Sequence, residues 1–182
     1  MLIHVTKSLI PFLNGQVQSA HAGSDVIKKR SIDANAIWQW HAHRFPYGDS
    51  CCLLVCHDQT GFVLVLPGVE KNEYDYLSDI VKDYLVGSIE DLGFSAAQSK
   101  QLSLTSGPVL FDEQSENSVK EMLSVAWQDL HNLQVDRPNL LLWNPLRLNE
   151  LINQRIIKKD DNWCRPDELF RALVNQELSK LP

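Results

Sequence analysis

Histidine and cysteine side chains are concentrated in one short part of the chain. The segment WQWHAHR occupies residues 38–44, and the segment CCLLVCH occupies residues 51–57. Imidazole and thiolate groups are common zinc and copper ligands, and they also serve as acid–base groups and nucleophiles. The two segments therefore raise the hypotheses of a metal site and of a catalytic centre. A third interpretation is that these side chains simply fill the core of a sheet.

The spacing of the cysteines argues against a zinc site that they share. The β-rich run at residues 51–57 is flanked by turn residues and predicts a strand. Successive side chains of a strand point to opposite faces, so Cys51 and Cys52 are separated. Cys52 and Cys56 share a face but lie about 14 Å apart, whereas zinc thiolates each lie about 2.3 Å from the ion.

The histidines at positions 41 and 43 have a more favourable spacing. On a strand both imidazoles project from one face, about 7 Å apart, which two ligands of one ion can span. Residues 37–43 and 51–57 could form an antiparallel hairpin with His43 opposite Cys51. In that register His41, His43 and Cys51 form a ligand set for zinc or copper. A shift by one residue would move Cys51 to the other face.

A structural role explains the same residues without a cofactor, and we favour it. Trp38, Trp40 and Ala42 would pack on one side of the strand. His41 and His43 would be hydrogen-bonded or partly hydrated on the other side. Cysteine commonly behaves as a small buried apolar residue. We therefore expect no cofactor, with zinc as the alternative.

Acid–base catalysis would use a different group of side chains. His57 and Asp58 are adjacent at a predicted strand end, beside Thr60. Together with His41 they would supply proton donors and acceptors for a small nuclease-like toxin. A turn-forming aspartate explains Asp58 more simply. The chain also has no glycine-rich phosphate loop and no GxSxG, HExxH or CxxC motif, which favours a protein that is not an enzyme.

The bulk properties of the chain restrict its class. Its 182 residues, 44% of them apolar, suit one unit with a core that folds without disulfides or metal. The net charge of -6 disfavours nucleic acid as a partner. No apolar run is long enough to span a membrane, and the first residues do not resemble a signal peptide. The four cysteines predict a reducing compartment, and hence a cytoplasmic location.

Hydrophobic periodicity predicts an α+β fold. We expect a mostly antiparallel sheet of four to five strands, at residues 2–6, 37–43, 51–57 and 62–66, with 108–111 at an edge. The segment 14–36 shows no period and predicts a loop. The strand at 62–66 is apolar throughout, so both of its faces should be covered.

Helices are predicted in the second half of the chain. They lie at 73–92, in a short segment after Ser95, at 119–134, and in two short segments that begin at Asn144 and Arg165. The helices 73–92 and 119–134 should cover one face of the sheet. We expect residues 1–135 to form the α+β domain, and residues 136–182 to form a helical C-terminal extension packed on the same unit.

The order of several short motifs resembles a family of small bacterial proteins known only as a domain of unknown function. The motifs are Val5-Thr6-Lys7, Trp40-His41-Ala42, His57-Asp58-Gln59-Thr60, Leu66-Pro67-Gly68 and Ser118-Val119. The resemblance spans about residues 1–135. It implies no catalytic residues. Family members often have Asn where this chain has His43, which weakens the hypothesis of a paired-histidine metal site.

The function that these observations favour is a non-enzymatic binding or protein-interaction module. Its partner would be a second copy of the chain, in a homodimer, or another protein, and not a membrane. Tryptophan is a typical interface anchor, and the candidates are Trp38, Trp40, Trp143 and Trp163. The alternatives are a metal-binding protein or metal-dependent hydrolase that uses His41 and His43, and a small nuclease-like toxin.

Overall fold

The computed structural model describes residues 1–18, 36–47, 50–113, 117–136, 144–159 and 161–181. In these residues the strands are β1 (Leu2–Val5), β2 (Val17–Gln18), β3 (Gln39–Tyr47), β4 (Ser50–His57), β5 (Val63–Pro67), β6 (Leu110–Asp112), β7 (Ile157–Lys159) and β8 (Asn162–Cys164). The α-helices are α1 (Leu77–Asp91), α2 (Ala96–Thr105), α3 (Asn117–Asp136), α4 (Pro145–Asn153) and α5 (Pro166–Leu178). The α+β class predicted from the sequence is confirmed.

The main sheet is mixed, with the strand order β2-β6-β1-β3-β4-β5. β2, β6, β1 and β3 pair in parallel, whereas β3, β4 and β5 form antiparallel pairs. The prediction of a mostly antiparallel sheet was therefore wrong. Only the strands joined by short connections are antiparallel, because a parallel pair requires a long crossover between its strands.

The position of β6 also differs from the prediction. We expected this strand at an edge, but β2 pairs with its outer side, so β6 lies inside the sheet. β2 itself lies within the segment 14–36, which was predicted to be a loop. Two residues of pairing are too few to produce a detectable sequence period.

Side chains of the sheet alternate between two buried faces. One face, which we call the apolar face, carries Trp40, Ala42, Leu53, Val55 and Leu64 in the larger core cluster. The opposite face carries Cys52, Leu54, Cys56, Val63 and Val65 in a second cluster. His41 and His43 alternate with Trp40 and Ala42 along β3, so they lie on this opposite face, which we call the histidine face.

Helices cover both faces. Leu77, Val81, Leu85 and Ile89 of α1 belong to the cluster on the apolar face, with Phe170 and Val174 of α5. Leu123, Ala126 and Leu130 of α3 and Leu148 and Ile152 of α4 belong to the cluster on the histidine face. The prediction that helices 73–92 and 119–134 share one face was thus wrong. The prediction that the 62–66 strand is covered on both faces is confirmed.

Several helix ends follow the sequence signals. Ser95 and Gln98 form the predicted capping box at the start of α2. The Asn144 side chain accepts a hydrogen bond from the backbone N–H of Leu146 at the start of α4. Pro166 occupies the first turn of α5. These local signals act within a few residues, so the sequence alone locates them well.

The helix α4 also completes the edge of the sheet. β5 is an edge strand, and its Val63 and Val65 N–H groups donate to Asn153 Oδ1 and Asn149 Oδ1 at 2.7 and 2.6 Å. The Asn153 amide also donates to the Val63 carbonyl at 2.7 Å. Two asparagines therefore take the place of a neighbouring strand, which protects the edge from pairing with another chain. Within the described ranges, no helix is both long and apolar enough to cross a lipid bilayer.

Candidate functional site

A row of polar side chains crosses the histidine face. In the parallel pairing of β1 with β3, His4 lies beside His41, and β6 places Asp112 on the other side of His4. The antiparallel partner of His41 in β4 is Cys56. Four adjacent strands therefore contribute neighbouring side chains to one line across the sheet.

Asp58 completes the group from the end of β4. Its backbone N–H donates to the carbonyl of Gln39 at 3.2 Å, which holds the residue beside β3. Its carboxylate oxygen Oδ1 lies 3.2 Å from Nε2 of His41. One ligand atom each from His4, His41 and Asp58 lies within 4.8 Å of the other two. We call these three residues the His4–His41–Asp58 cluster.

A second carboxylate lies behind this cluster. Asp112 Oδ2 is 3.5 Å from Nδ1 of His4, and the Asp112 side chain is almost fully buried. The His4 and His41 rings contact each other with centroids 4.7 Å apart. A carboxylate beside one ring nitrogen fixes the orientation of the imidazole and makes the other nitrogen a better ligand. Asp112 has the position for this role toward His4.

Buried polar atoms in the group lack hydrogen bonds. His41 is only 2% exposed, yet its Nδ1 makes no hydrogen bond to any residue that the structure describes. The same holds, among those residues, for Oδ1 of Asp112, whereas Oδ1 of Asp58 has its ion-pair contact with Nε2 of His41. Buried nitrogen and oxygen atoms are normally satisfied, because leaving one without a partner costs about 1–3 kcal/mol. A cation held by Nε2 of His41 and by Asp58 would give the carboxylate a closer partner, but it would not reach Nδ1 on the other side of the imidazole ring.

The donor set and its dimensions fit a transition-metal ion. Two imidazoles and one carboxylate are typical of catalytic zinc and of non-haem iron sites. With bonds of about 2.1 Å, two ligand atoms on one ion lie at most about 4.2 Å apart. The 3.2 Å separation of His41 Nε2 and Asp58 Oδ1 meets this limit. Separations of up to 4.8 Å in the cluster exceed this limit, so the side chains would have to move closer together to bind one ion.

The structure keeps His41 in a candidate metal site but does not bring Cys51 to it. The observed register pairs His43 with Leu54 and Cys51 with Pro46, not His43 with Cys51. The predicted register was displaced by three residues. Because an odd displacement reverses the faces of a strand, Cys51 lies on the apolar face. Its thiol donates to the Val69 carbonyl at 3.3 Å.

His43 shares the histidine face with His41 but has its own environment. Its Nδ1 is hydrogen-bonded to the Thr6 hydroxyl at 2.8 Å. Burial and the positive charge of Lys120 lower the pKa of His43 below its usual range, so the ring is neutral near pH 7. The paired-histidine pattern therefore identified one member of the cluster, His41, and one neighbour, His43, and Asp58 had been named only as a catalytic candidate.

His57 has a structural environment on the opposite face from Asp58. Its Nδ1 accepts from the Thr60 N–H at 3.2 Å, and its Nε2 lies 3.0 Å from the Ala36 carbonyl, to which it donates. Both ring nitrogens are thus engaged, and Nε2 carries the proton. Burial lowers the pKa of His57 to about 4. Asp58 instead contacts His41 on the histidine face. The two side chains of the predicted catalytic pair, His57 and Asp58, therefore do not face the same position.

The four candidate interface tryptophans differ in their surroundings. Trp38 and Trp40 are buried in the cluster on the apolar face, so neither can anchor a partner without opening the core. Their burial therefore gives no support to the prediction that they anchor an interface. Trp143 lies outside the described residues. Trp163, on the β7–β8 hairpin, is 73% exposed and remains a candidate.

His4 and Asp112 are the members of the site that sequence reasoning missed. His4 lies in the alternating segment LIHV, which predicts a strand but does not predict which strand pairs with it. Asp112 lies more than a hundred residues away, in a three-residue strand. A sequence search for histidine and carboxylate side chains at inward positions of every predicted strand would have included His4. Only the sheet order unites it with His41.

The fold and the site together define an α+β protein with a mixed six-stranded sheet and a cluster of two histidines and one carboxylate on one face. The chain belongs to the family described as Domain of unknown function (DUF6933), whose model matches residues 2–169. This confirms the resemblance found in the motifs. The match extends past residue 135 and includes α4. Comparisons with curated proteins and with solved structures gave no match.

Proposed function

We propose that this protein binds a divalent first-row transition-metal ion, such as zinc, through His4, His41 and Asp58. The observation that carries the proposal is the convergence of these residues from three parts of the chain, with ligand atoms within 4.8 Å of one another. The contact between Nε2 of His41 and Oδ1 of Asp58, at 3.2 Å, supports it, because these two atoms are close enough to bind one ion. This refines the metal alternative, with His4 and Asp58 in place of His43 and Cys51.

The number of ligands favours a functional rather than a purely structural ion. Structural zinc sites have four protein ligands, whereas catalytic sites have three and keep a position for water or substrate. An ion of this kind lowers the pKa of its bound water and polarises carbonyl or phosphoryl oxygens. A metal-dependent hydrolase is therefore the reaction class that the ligand set supports best.

Metal analysis of protein purified without a histidine tag tests the proposal. After chelator treatment, titration calorimetry with ZnCl₂ should give about one equivalent of bound ion. His41→Gln should weaken the affinity at least a hundredfold, because it removes one of three ligands. His131→Gln is the matched control, since His131 is exposed on α3 and remote in sequence from the cluster. It should bind zinc as the unmodified protein does.

Two results would contradict the proposal. One is the absence of stoichiometric binding of Zn²⁺, Co²⁺, Mn²⁺ and Fe²⁺ by the folded, tag-free protein. The other is binding that survives in both His4→Gln and His41→Gln. Circular dichroism of each variant, compared with His131→Gln, shows whether a loss of binding comes from loss of the ligand or from loss of the fold.

A protein-interaction module is the second candidate function, as the sequence suggested. Trp163 and Ile156 are both more than two-thirds exposed, at and beside the β7–β8 hairpin. We propose a second copy of the chain as the partner, in a homodimer. Light scattering should then give a dimer mass that Trp163→Gln reduces to a monomer. A monomeric mass at all concentrations would contradict this candidate.

The predicted cytoplasmic location belongs to the same proposal. All four cysteines are free, including Cys51 and Cys52, which are adjacent. Free thiols persist in a reducing compartment. Fractionation of cells that express the protein tests the location, and recovery outside the cytoplasm would contradict it.

A further inference from the structure

A cavity lies on the histidine face beside the His4–His41–Asp58 cluster. Its volume is about 470 Å³, within the range of small-molecule binding sites. Its lining comes from the end of β1, from β3, from the residue after β6 and from α3. The lining residues that bear on its chemistry are Thr6, Lys7, His43, Phe45, Glu113 and Lys120.

The sheet register relates this cavity to the cluster. Thr6, just past the end of β1, and His43, on β3, line the cavity and follow His4 and His41 by two residues. A step of two residues along a strand keeps the face and moves the side chain by about 7 Å. The cavity therefore begins one row of side chains away from the cluster. A small molecule only a few bonds long could therefore reach from the cavity to the cluster.

The charges around the cavity favour an anion. Lys7 and Lys120 both line it, and neither ammonium group forms an ion pair with a carboxylate in the described ranges. Among the described residues of the lining, Glu113 is the one that is acidic, so these described residues carry a net charge of about +1. Lys120 lies in the first turn of α3, and the amino-terminal end of a helix also attracts negative charge.

Neutral groups in the lining complement this charge. The Thr6 hydroxyl is hydrogen-bonded to Nδ1 of His43 and to the Ser8 hydroxyl, at 2.8 and 3.1 Å. Nε2 of His43 makes no hydrogen bond to a residue that the structure describes, so it can form one with a ligand. Phe45 supplies an apolar wall, stacked on Trp127 with centroids 4.8 Å apart. The cavity thus combines a cationic rim, hydroxyl groups and an aromatic surface.

We propose that this cavity binds a small molecule with one oxyanion group, a carboxylate or a phosphate, and a flat apolar part, and that it is the substrate pocket of the metal site. The anion would be held by Lys120 and Lys7, and the apolar part would contact Phe45. The binding of the small molecule is argued from the cavity alone. The link to the metal rests on the proposed function.

Calorimetry on chelator-treated protein tests the binding half without any metal. The probes are benzoate, phenyl phosphate and the neutral analogue benzamide, which share one ring. We expect benzoate or phenyl phosphate to bind at least tenfold more tightly than benzamide, and the two anions to distinguish carboxylate from phosphate. Equal affinity for benzamide, or no binding of either anion, would overturn the proposal.

Variants of the cationic rim assign the interaction. Lys120→Gln should weaken binding of the preferred anion about tenfold, because a charge-assisted hydrogen bond is lost. Lys120→Arg keeps the charge and should retain the affinity within about threefold. Lys100→Gln, on the exposed side of α2, is the matched control and should have no effect. Unchanged binding in Lys120→Gln would contradict the assignment.

Cobalt substitution tests the link between the cavity and the ion. Co²⁺ bound by two histidines and one carboxylate has visible absorption that reports changes in its ligands and surroundings. The preferred anion at saturation should change this spectrum. An unchanged spectrum with cobalt bound and the anion bound would overturn the link. If cobalt does not bind at all, the metal proposal fails, and the calorimetry still decides the cavity.

Discussion

His57 illustrates how one side chain can be chemically suggestive and yet structural. It stands next to Asp58 in a pattern that resembles an acid–base pair, but the pleat of β4 sends it to the apolar face. There its ring contacts Trp40 and Phe170, with centroids 4.9 and 5.3 Å away. The residue contributes to stability through its neutral form, and that contribution depends on pH.

The stability of the protein should therefore fall in mild acid. Burial lowers the pKa of His57 to about 4, below the usual 6.5, so the unfolded chain binds a proton first. The contribution is fully present above about pH 6.5 and is lost as the pH falls toward 4. Between pH 7 and 5 it amounts to about 2 kcal/mol. Urea unfolding with chelator present should show this loss in His131→Gln but a smaller loss in His57→Gln. Equal losses would contradict it.

Asp112 is the residue that distinguishes an oriented metal site from a fortuitous group of histidines. Its carboxylate lies beside His4 Nδ1 and is buried. We expect Asp112→Asn to weaken zinc binding by about 10- to 100-fold, as removal of such an orienting partner typically does. Calorimetry measures the affinity, and Glu113→Gln, on the next and exposed residue, provides the control. Equal affinities in the two variants would remove Asp112 from the site.

At the scale of the elements, local patterns were predictable and strand neighbours were not. Alternating or continuous apolar runs bounded by turn residues placed β1, β3, β4 and β5 within a few residues of their observed bounds. The caps of α2 and α4 were predicted from signals of two to four residues. The parallel pairing of β1 with both β3 and β6 depends on long-range packing. That pairing brings His4 beside His41. Local sequence patterns therefore identified His41 as a candidate ligand but not His4.

The helix α4 provides the clearest test of how an element is held. Asn153 is 1% exposed and forms hydrogen bonds to both the N–H and the carbonyl of Val63. Asn153→Ala should lower the free energy of unfolding by about 2–3 kcal/mol, because two buried backbone groups lose their partner. Asn175→Ala, at an exposed position of α5, should change it by less than about 0.5 kcal/mol. Chemical denaturation of both variants measures the difference, and similar stabilities would disprove this role of α4.

At the scale of the whole molecule, the sheet is enclosed between two helical layers, and its thiols report on that enclosure. Cys51 lies on the apolar face, whereas Cys52 and Cys56 lie on the histidine face. All three are buried, and only Cys164, on β8, is partly accessible. Burial raises the pKa of both Cys52 and Cys56 to about 12, so neither forms the reactive thiolate near neutral pH.

A disulfide exchange reagent should therefore react in two stages. In the native protein at pH 8 we expect one thiol to react rapidly, Cys164, and Cys164→Ser should abolish that phase. The other three thiols should react only as the molecule opens, at a rate that rises with urea in parallel with unfolding. Release of Cys51 requires the residues that cover it on the apolar face, Val69 and Tyr74, to move away from the sheet. Release of Cys52 and Cys56 requires separation of α3 and α4. Because the two helical layers share one sheet, we expect all three thiols to react in one phase, as in a single cooperative unit. If Cys52 and Cys56 react before Cys51, the two layers open independently and this prediction is wrong.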